Sequence, residues 1–206
     1  MSSRRSSRPL PGLALAITLL GAAAQPAPAQ TQPPLAQLQA AGSEIMFTTR
    51  QMGVPVDGKF GRFSAQVALD PKKPETGSVA LSIDTGSARF GAAEVDAELP
   101  KPVWLNAAQF PRASFQSTGI KTTGPGKFEV TGKLSIKGAV RDLVVPVQLT
   151  QSGAPGSAGL LSTASGSFII KRLDFKVGEA EWADTSLVAD DVTVRFKLAL
   201  SGVAPI

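Results

Sequence analysis

Phe128-Glu129-Val130-Thr131-Gly132-Lys133-Leu134-Ser135-Ile136 decides the fold. Apolar residues and one glycine hold the even positions, and charged or hydroxylated residues hold the odd ones. A period of two describes a β-strand with one buried and one solvated face. On its C-terminal side, Lys137-Gly138 reads as a tight turn into a second alternating run, Leu143, Val145, Val147 and Leu149. On its N-terminal side, Gly124-Pro125-Gly126 separates it from Ala113, Phe115 and Ser117, which alternate in the same way. The pattern recurs at both ends of the chain, in Ile45, Phe47 and Thr49 and in Val192, Val194, Phe196, Leu198 and Leu200. Val79, Leu81 and Ile83 form a further run, and Phe168, Ile170 and Arg172 another, with Asp174 continuing its face.

One segment changes phase. Val56, Gly58 and Phe60 are even-numbered, whereas Phe63, Ala65, Val67 and Leu69 are odd. Gly61 stands where an inserted residue is needed, so a bulge or sharp bend is expected there, with glycine required by its conformation or by close packing. The hairpin turn before it is placed at Met52-Gly53 rather than Asp57-Gly58, because the alternation then runs longer. Residues 92 to 110 break the β pattern and predict a short helix over Ala92 to Leu99 and a turn or two over Trp104 to Phe110. Roughly eight strands joined by hairpins imply an all-β, antiparallel, closed barrel with one or two short helices. A barrel of about this size is either packed solid or holds one small ligand.

The N-terminus belongs to a different argument. Arg4, Arg5 and Arg8 precede the apolar stretch Leu10 to Ala24, which ends at Ala27-Pro28-Ala29. This order of basic, apolar and small residues is that of a cleavable secretory signal over residues 1–29. Residues 30–41 are rich in Pro and Gln and read as a mobile leader, with the barrel domain over 42–202. Loss of residues 1–29 takes away three arginines and no acid, so 21 basic residues become 18 against 16 acidic ones, a net charge of +2. That balance offers no electrostatic case for nucleic acid. Cysteine is absent, so a secreted chain must be held by its core alone.

Catalytic chemistry has little to work with. Histidine and cysteine are both missing, which removes the usual serine triad, thiol nucleophiles, thiolate metal sites and histidine-ligated haem. No glycine-rich loop ends in Lys-Ser or Lys-Thr. Glu179, Glu181, Asp184, Asp190 and Asp191 lie close in sequence and read as a solvated acidic loop ahead of an acid/base pair or calcium site. The reading is of a non-enzyme with no catalytic residue, metal or cofactor. Trp104 and Trp182, with Phe47, Phe60, Phe63, Phe110, Phe115, Phe168 and Phe196, suit a lipid pocket or ordinary core, and periodicity alone favours core. Arg172 and Asp174 on an inward face need partners, either a ligand head group or an internal brace.

Several motifs in order add a resemblance. Ser43-Glu44-Ile45-Met46-Phe47 is followed by Gln51-Met52-Gly53-Val54-Pro55-Val56 and Gly58-Lys59-Phe60. Phe110-Pro111-Arg112-Ala113-Ser114-Phe115-Gln116-Ser117, Gly132-Lys133-Leu134-Ser135-Ile136-Lys137-Gly138 and Lys171-Arg172-Leu173-Asp174-Phe175 come next. From Ser43 to Leu200 the chain resembles the YceI-like family of bacterial periplasmic proteins. The resemblance implies a lipocalin-like barrel whose long apolar cavity binds a polyisoprenoid, an isoprenoid quinone or a prenyl phosphate. It turns the balance for the aromatic residues toward ligand contact and adds Gln51, Met52, Leu134, Ile170, Arg172 and Val194 to the expected binding set. Gln51 stands where many relatives carry histidine, and Ser135 where threonine is common. The location expected is the Gram-negative periplasm. An envelope interaction protein, with the barrel as a lipid-free scaffold, is the alternative. An envelope redox or membrane partner and a homodimer are further expectations.

Overall fold

A computed structural model describes residues 32–154 and 159–206 of the chain. The signal-like segment 1–29 lies outside the described residues. Ten strands form one antiparallel sheet: β1 (Leu35–Gln51), β2 (Val54–Phe60), β3 (Phe63–Ala68), β4 (Ser78–Asp84), β5 (Ala88–Arg89), β6 (Arg112–Gly124), β7 (Lys127–Ile136), β8 (Ala139–Ser152), β9 (Leu161–Lys171) and β10 (Asp191–Ser201). Their order is β10-β9-β8-β7-β6-β4-β3-β1, and β1 pairs back onto β10. That pairing closes an eight-stranded barrel and leaves the ring without a free edge.

The deciding stretch forms β7, whose Phe128, Val130 and Leu134 are buried. Its turn into β8 has Lys137 at φ 48° and Gly138 at φ 78°, the paired left-handed conformation that matches the twist of a hairpin. Met52 and Gly53 make the same kind of turn, at φ 46° and 82°, between β1 and β2.

The phase change is a bend between β2 and β3 at Gly61-Arg62. Gly61 N–H donates to Ser87 O at 3.0 Å, and Arg62 N–H donates to Ser87 Oγ at 3.0 Å. The Arg62 side chain reaches Asp84 at 2.8 Å and holds its carboxyl below the usual carboxylate range. The bend does not depend on glycine. Gly61 does not have a positive φ, and a Cβ there would stand 3.6 Å from its nearest neighbour, an ordinary contact. The stringent glycine is Gly58, where a Cβ would stand 2.3 Å from the Phe47 ring.

The leader needs correction too. Strand β1 begins at Leu35, seven residues before the expected domain start, and Ala36 is buried. Leu35 and Ala36 pair with Ala68 and Val67, while Gln37, Leu38 and Gln39 pair with the end of β10. A register shift between Gln39 and Glu44, with Gly42 at φ 90°, joins this part to the strand that follows. The Pro/Gln composition masked a short segment whose backbone completes the ring.

The only α-helix among the described residues, α1 (Ala93–Glu98), has the place expected for it, and turns occupy most of 100–109. The β1–β2 hairpin carries β5 on its outer edge. Together with α1 and the segments after β9, it gathers at one end of the barrel.

Candidate functional site

Inward residues of the eight ring strands enclose a cavity of about 730 Å³. Each strand supplies its apolar face: Phe128, Val130, Leu134 and Ile136 from β7, and Val192, Val194, Phe196, Leu198 and Leu200 from β10. The volume falls within the range of roughly 300–1,000 Å³ found for small-molecule sites. The wall is almost wholly hydrocarbon. Affinity for an occupant therefore comes from apolar burial, at about 0.8 kcal/mol per CH₂.

Three phenylalanines lie against the wall because glycines make room for them. A Cβ on Gly58 would meet the Phe47 ring at 2.3 Å, one on Gly132 the Phe115 ring at 2.5 Å, and one on Gly166 the Phe196 ring at 2.7 Å. Phe47 pairs directly with Gly58, and Phe196 with Gly166, across adjacent strands. Laid over a bare backbone, each ring leaves the lumen free.

The two ends of the cavity differ. At the β7 start, Leu149 and Leu200 line it and are 2% and 1% exposed. At the other end, Met52, Val95 and Leu187 line it yet are 77%, 40% and 41% exposed. These three mark the mouth. Trp104 and Trp182 stand beside it, 5.4 Å apart, and Glu94 and Glu98 of α1 also face the cavity.

Of the residues expected to bind, Phe47, Gln51, Met52, Phe60, Trp104, Phe115, Leu134, Phe168, Ile170, Arg172, Trp182, Val194 and Phe196 line this one space. Phe63 and Phe110 do not. Phe63 is half-buried and packs against the main core cluster near the bend. Phe110 packs on the β7–β8 turn, where a Cβ on Gly138 would be 3.0 Å from its ring. Neither aromatic character nor a motif position could show that these rings fall outside the lumen.

Arg172 is a brace. Strand β9 ends at Lys171, and Arg172–Phe175 is a 3-10 turn, so the alternation does not extend to Asp174, which is exposed. Arg172 Nε donates to Ala189 O at 3.0 Å, Nη1 to Val177 O at 2.9 Å and Gly178 O at 2.8 Å, and Nη2 to Trp182 O at 2.6 Å and Val188 O at 2.7 Å. All five guanidinium N–H groups are thereby used. Burial lowers its pKa, and Asp190 opposes that shift. No donor remains for a ligand head group.

Lys137 is a second brace that sequence reasoning missed. It is 8% exposed, and its Nζ donates to Lys176 O at 2.6 Å and to Glu179 Oε2 at 3.0 Å. The available signal was its position: lysine stands at a left-handed hairpin position where Asn, Asp or Gly is usual. The acidic cluster disperses onto separate partners. Glu179 meets Lys137, Asp191 meets Lys171, and Asp184 accepts from Ser186, whose hydroxyl and N–H lower its pKa.

A closed antiparallel barrel with an apolar interior and a defined mouth is, by its geometry, a container. The YceI-like domain model matches residues 37–200, and the chain belongs to that family. A "UPF0312 protein" of Azotobacter vinelandii is 32% identical over 120 residues, a stretch spanning 58% of this chain and 62% of that protein. Among solved structures, Burkholderia cenocepacia BcnA is similar at a TM-score of 0.74 and 39% identity, covering 79% of this chain and 99% of that one. A Saccharophagus degradans domain described as polyisoprenoid binding shares the fold at a TM-score of 0.59 and 14% identity, over 85% of this chain and all of that one.

Proposed function

We propose that this protein is a periplasmic carrier that holds one long apolar molecule, of the polyisoprenoid or isoprenoid-quinone kind, inside its barrel. The observation that carries the proposal is the hollow interior. Eight strands turn their apolar faces toward about 730 Å³ of space, where an ordinary small protein would place interlocked side chains. Leaving such a volume unfilled forgoes the packing that stabilises a core, and a ligand restores it. Membership of the YceI-like family and the binding ascribed to the Saccharophagus domain support the same reading. The periplasmic assignment rests on the signal-like order of residues 1–29. The lipid-free scaffold reading expects a filled interior, and the cavity speaks against it. The test is organic extraction of protein purified from its native envelope, followed by mass spectrometry, with uptake of an added isoprenoid quinone measured in parallel. A stoichiometric long-chain lipid is expected. Repeated extraction of no lipid, combined with no uptake, overturns the proposal.

A further inference from the structure

Thr49 is a polar residue in a mostly apolar lumen. It follows Ile45 and Phe47 on the inward face of β1, lines the cavity and is 6% exposed. Among the described residues, its Oγ1 is the buried side-chain polar atom without a hydrogen-bond partner. Leaving a hydroxyl unpaired costs stability that valine at the same position would not incur. No protein group lies within hydrogen-bond reach of it. Thr49 pairs with Val56 of β2, Thr48 faces Thr193 across the β1–β10 ladder, which sets Thr49 near Val192, and Val188 bridges to Gln51 two residues further along β1 toward the mouth.

The charges at this end narrow what the hydroxyl can meet. Arg172 lines the cavity, but its five N–H groups are spent on carbonyls. Lys137 Nζ is held by Lys176 O and Glu179, and Lys101 Nζ by Glu98 Oε1 at 2.5 Å. The other charged groups lining the cavity are Glu94 and Glu98. A phosphate inside the cavity would meet the carboxylates of Glu94 and Glu98, while the one cation of the lining, Arg172, has no N–H to spare, and like charges set together disfavour binding. An uncharged oxygen has no such penalty and can accept the Thr49 proton.

We infer that Thr49 Oγ1 donates a hydrogen bond to an uncharged ligand oxygen, so that the barrel selects apolar molecules with a neutral carbonyl-type head, as in a quinone, over phosphorylated ones. The inference rests on the apolar-carrier reading and specifies its head group.

Three probes sharing a fifteen-carbon tail separate the two: a farnesyl-substituted benzoquinone, farnesyl phosphate and the hydrocarbon farnesane, with about 15 carbons each counted in the tail by the burial scale used above. The wild-type protein is expected to bind the quinone more tightly than the phosphate. Thr49→Val should weaken quinone binding about fivefold, the worth of one ordinary hydrogen bond, and leave farnesane binding unchanged. Thr49→Ser should restore the quinone affinity. Equal quinone affinity in the wild-type and Thr49→Val proteins overturns the role of Thr49, and phosphate bound more tightly than quinone overturns the head-group rule. If none of the three probes binds, the carrier reading itself falls. The infrared carbonyl stretch of the quinone bound to the wild-type protein needs no variant. A shift to lower wavenumber is expected, and an unshifted band counts against the bond.

Discussion

The two ends of the barrel are built on different physics. The end at Leu149 and Leu200 is held by packing: Ala36, Val67, Ile120 and Val203 close on them in one apolar cluster. The mouth cannot be held that way, because the space its loops would pack against is the cavity. There, two buried cations draw backbone carbonyls together. Arg172 gathers residues 177–189, and Lys137 ties the β7–β8 turn to Lys176 and Glu179. Hydrogen bonds to a charged donor are each worth roughly 1.5–3 kcal/mol and need no filled interior behind them. A hollow protein can thus be rigid around its opening.

The contrast between the two ends depends most on Arg172. Arg172→Met strands five carbonyls and is expected to cost about 4–5 kcal/mol, read from the urea midpoint. Arg172→Lys should recover little, since one ammonium cannot serve so wide a set of acceptors. An effect confined to ligand preference, with stability unchanged, would favour the head-group contact that the sequence left open beside the brace. At the closed end, Leu149 also borders the cavity but is 2% exposed and packed into the apolar cluster there, so Leu149→Ala should cost about 3 kcal/mol. Phe115→Ala, on the wall of a space already open, should cost less than the roughly 3–5 kcal/mol typical of buried phenylalanine, and ligand retention should fall more than stability does. Equal losses of stability in the two variants would mean that the ring belongs to solid core.

Substitutions at two glycines should have smaller effects. Gly58→Ala should cost about 1–3 kcal/mol, because the Phe47 ring must move. Gly61→Ala should change thermal stability by no more than about 0.5 kcal/mol, despite its place at the bend. The smallest effect expected is from acid. Asp84 has its pKa lowered in the folded state, first by its hydrogen bond from Arg62, so its contribution is present above the ordinary value of 3.8 and lost as pH falls through the folded value. Arg62→Ala should narrow the difference between melting temperatures at neutral and acid pH.

The barrel was legible in the sequence because alternation is a local signal and each strand repeats it. Residues 45–49, 128–136 and 192–200 state their inward faces without help from the rest of the chain. The start of β1 was not legible, since Leu35 and Ala36 become strand only through partners in β3, and Gln37 to Gln39 through partners in β10. Thr49 was readable as an inward residue, but its unpaired hydroxyl depends on every neighbour across the lumen. For Arg172 the sequence left brace and head-group contact both open for a related reason. The β9 alternation pointed it inward, and it does line the cavity, but only the carbonyls of residues 177–189 reveal its use as a brace. Local periodicity reports faces; it does not report what the opposite wall provides.

Gly58 is not among the residues that touch the cavity, yet it governs the bore. The Phe47 ring rests on it, with the rings of Phe60 and Phe90 standing 5.1 and 5.2 Å away. One added carbon at position 58 would swing the first ring and oblige the other two to re-sort, narrowing the passage just inside the mouth. The calibre of the container is therefore adjustable from behind its wall. A substitution at this position would change the bore while leaving every residue that lines it in the sequence.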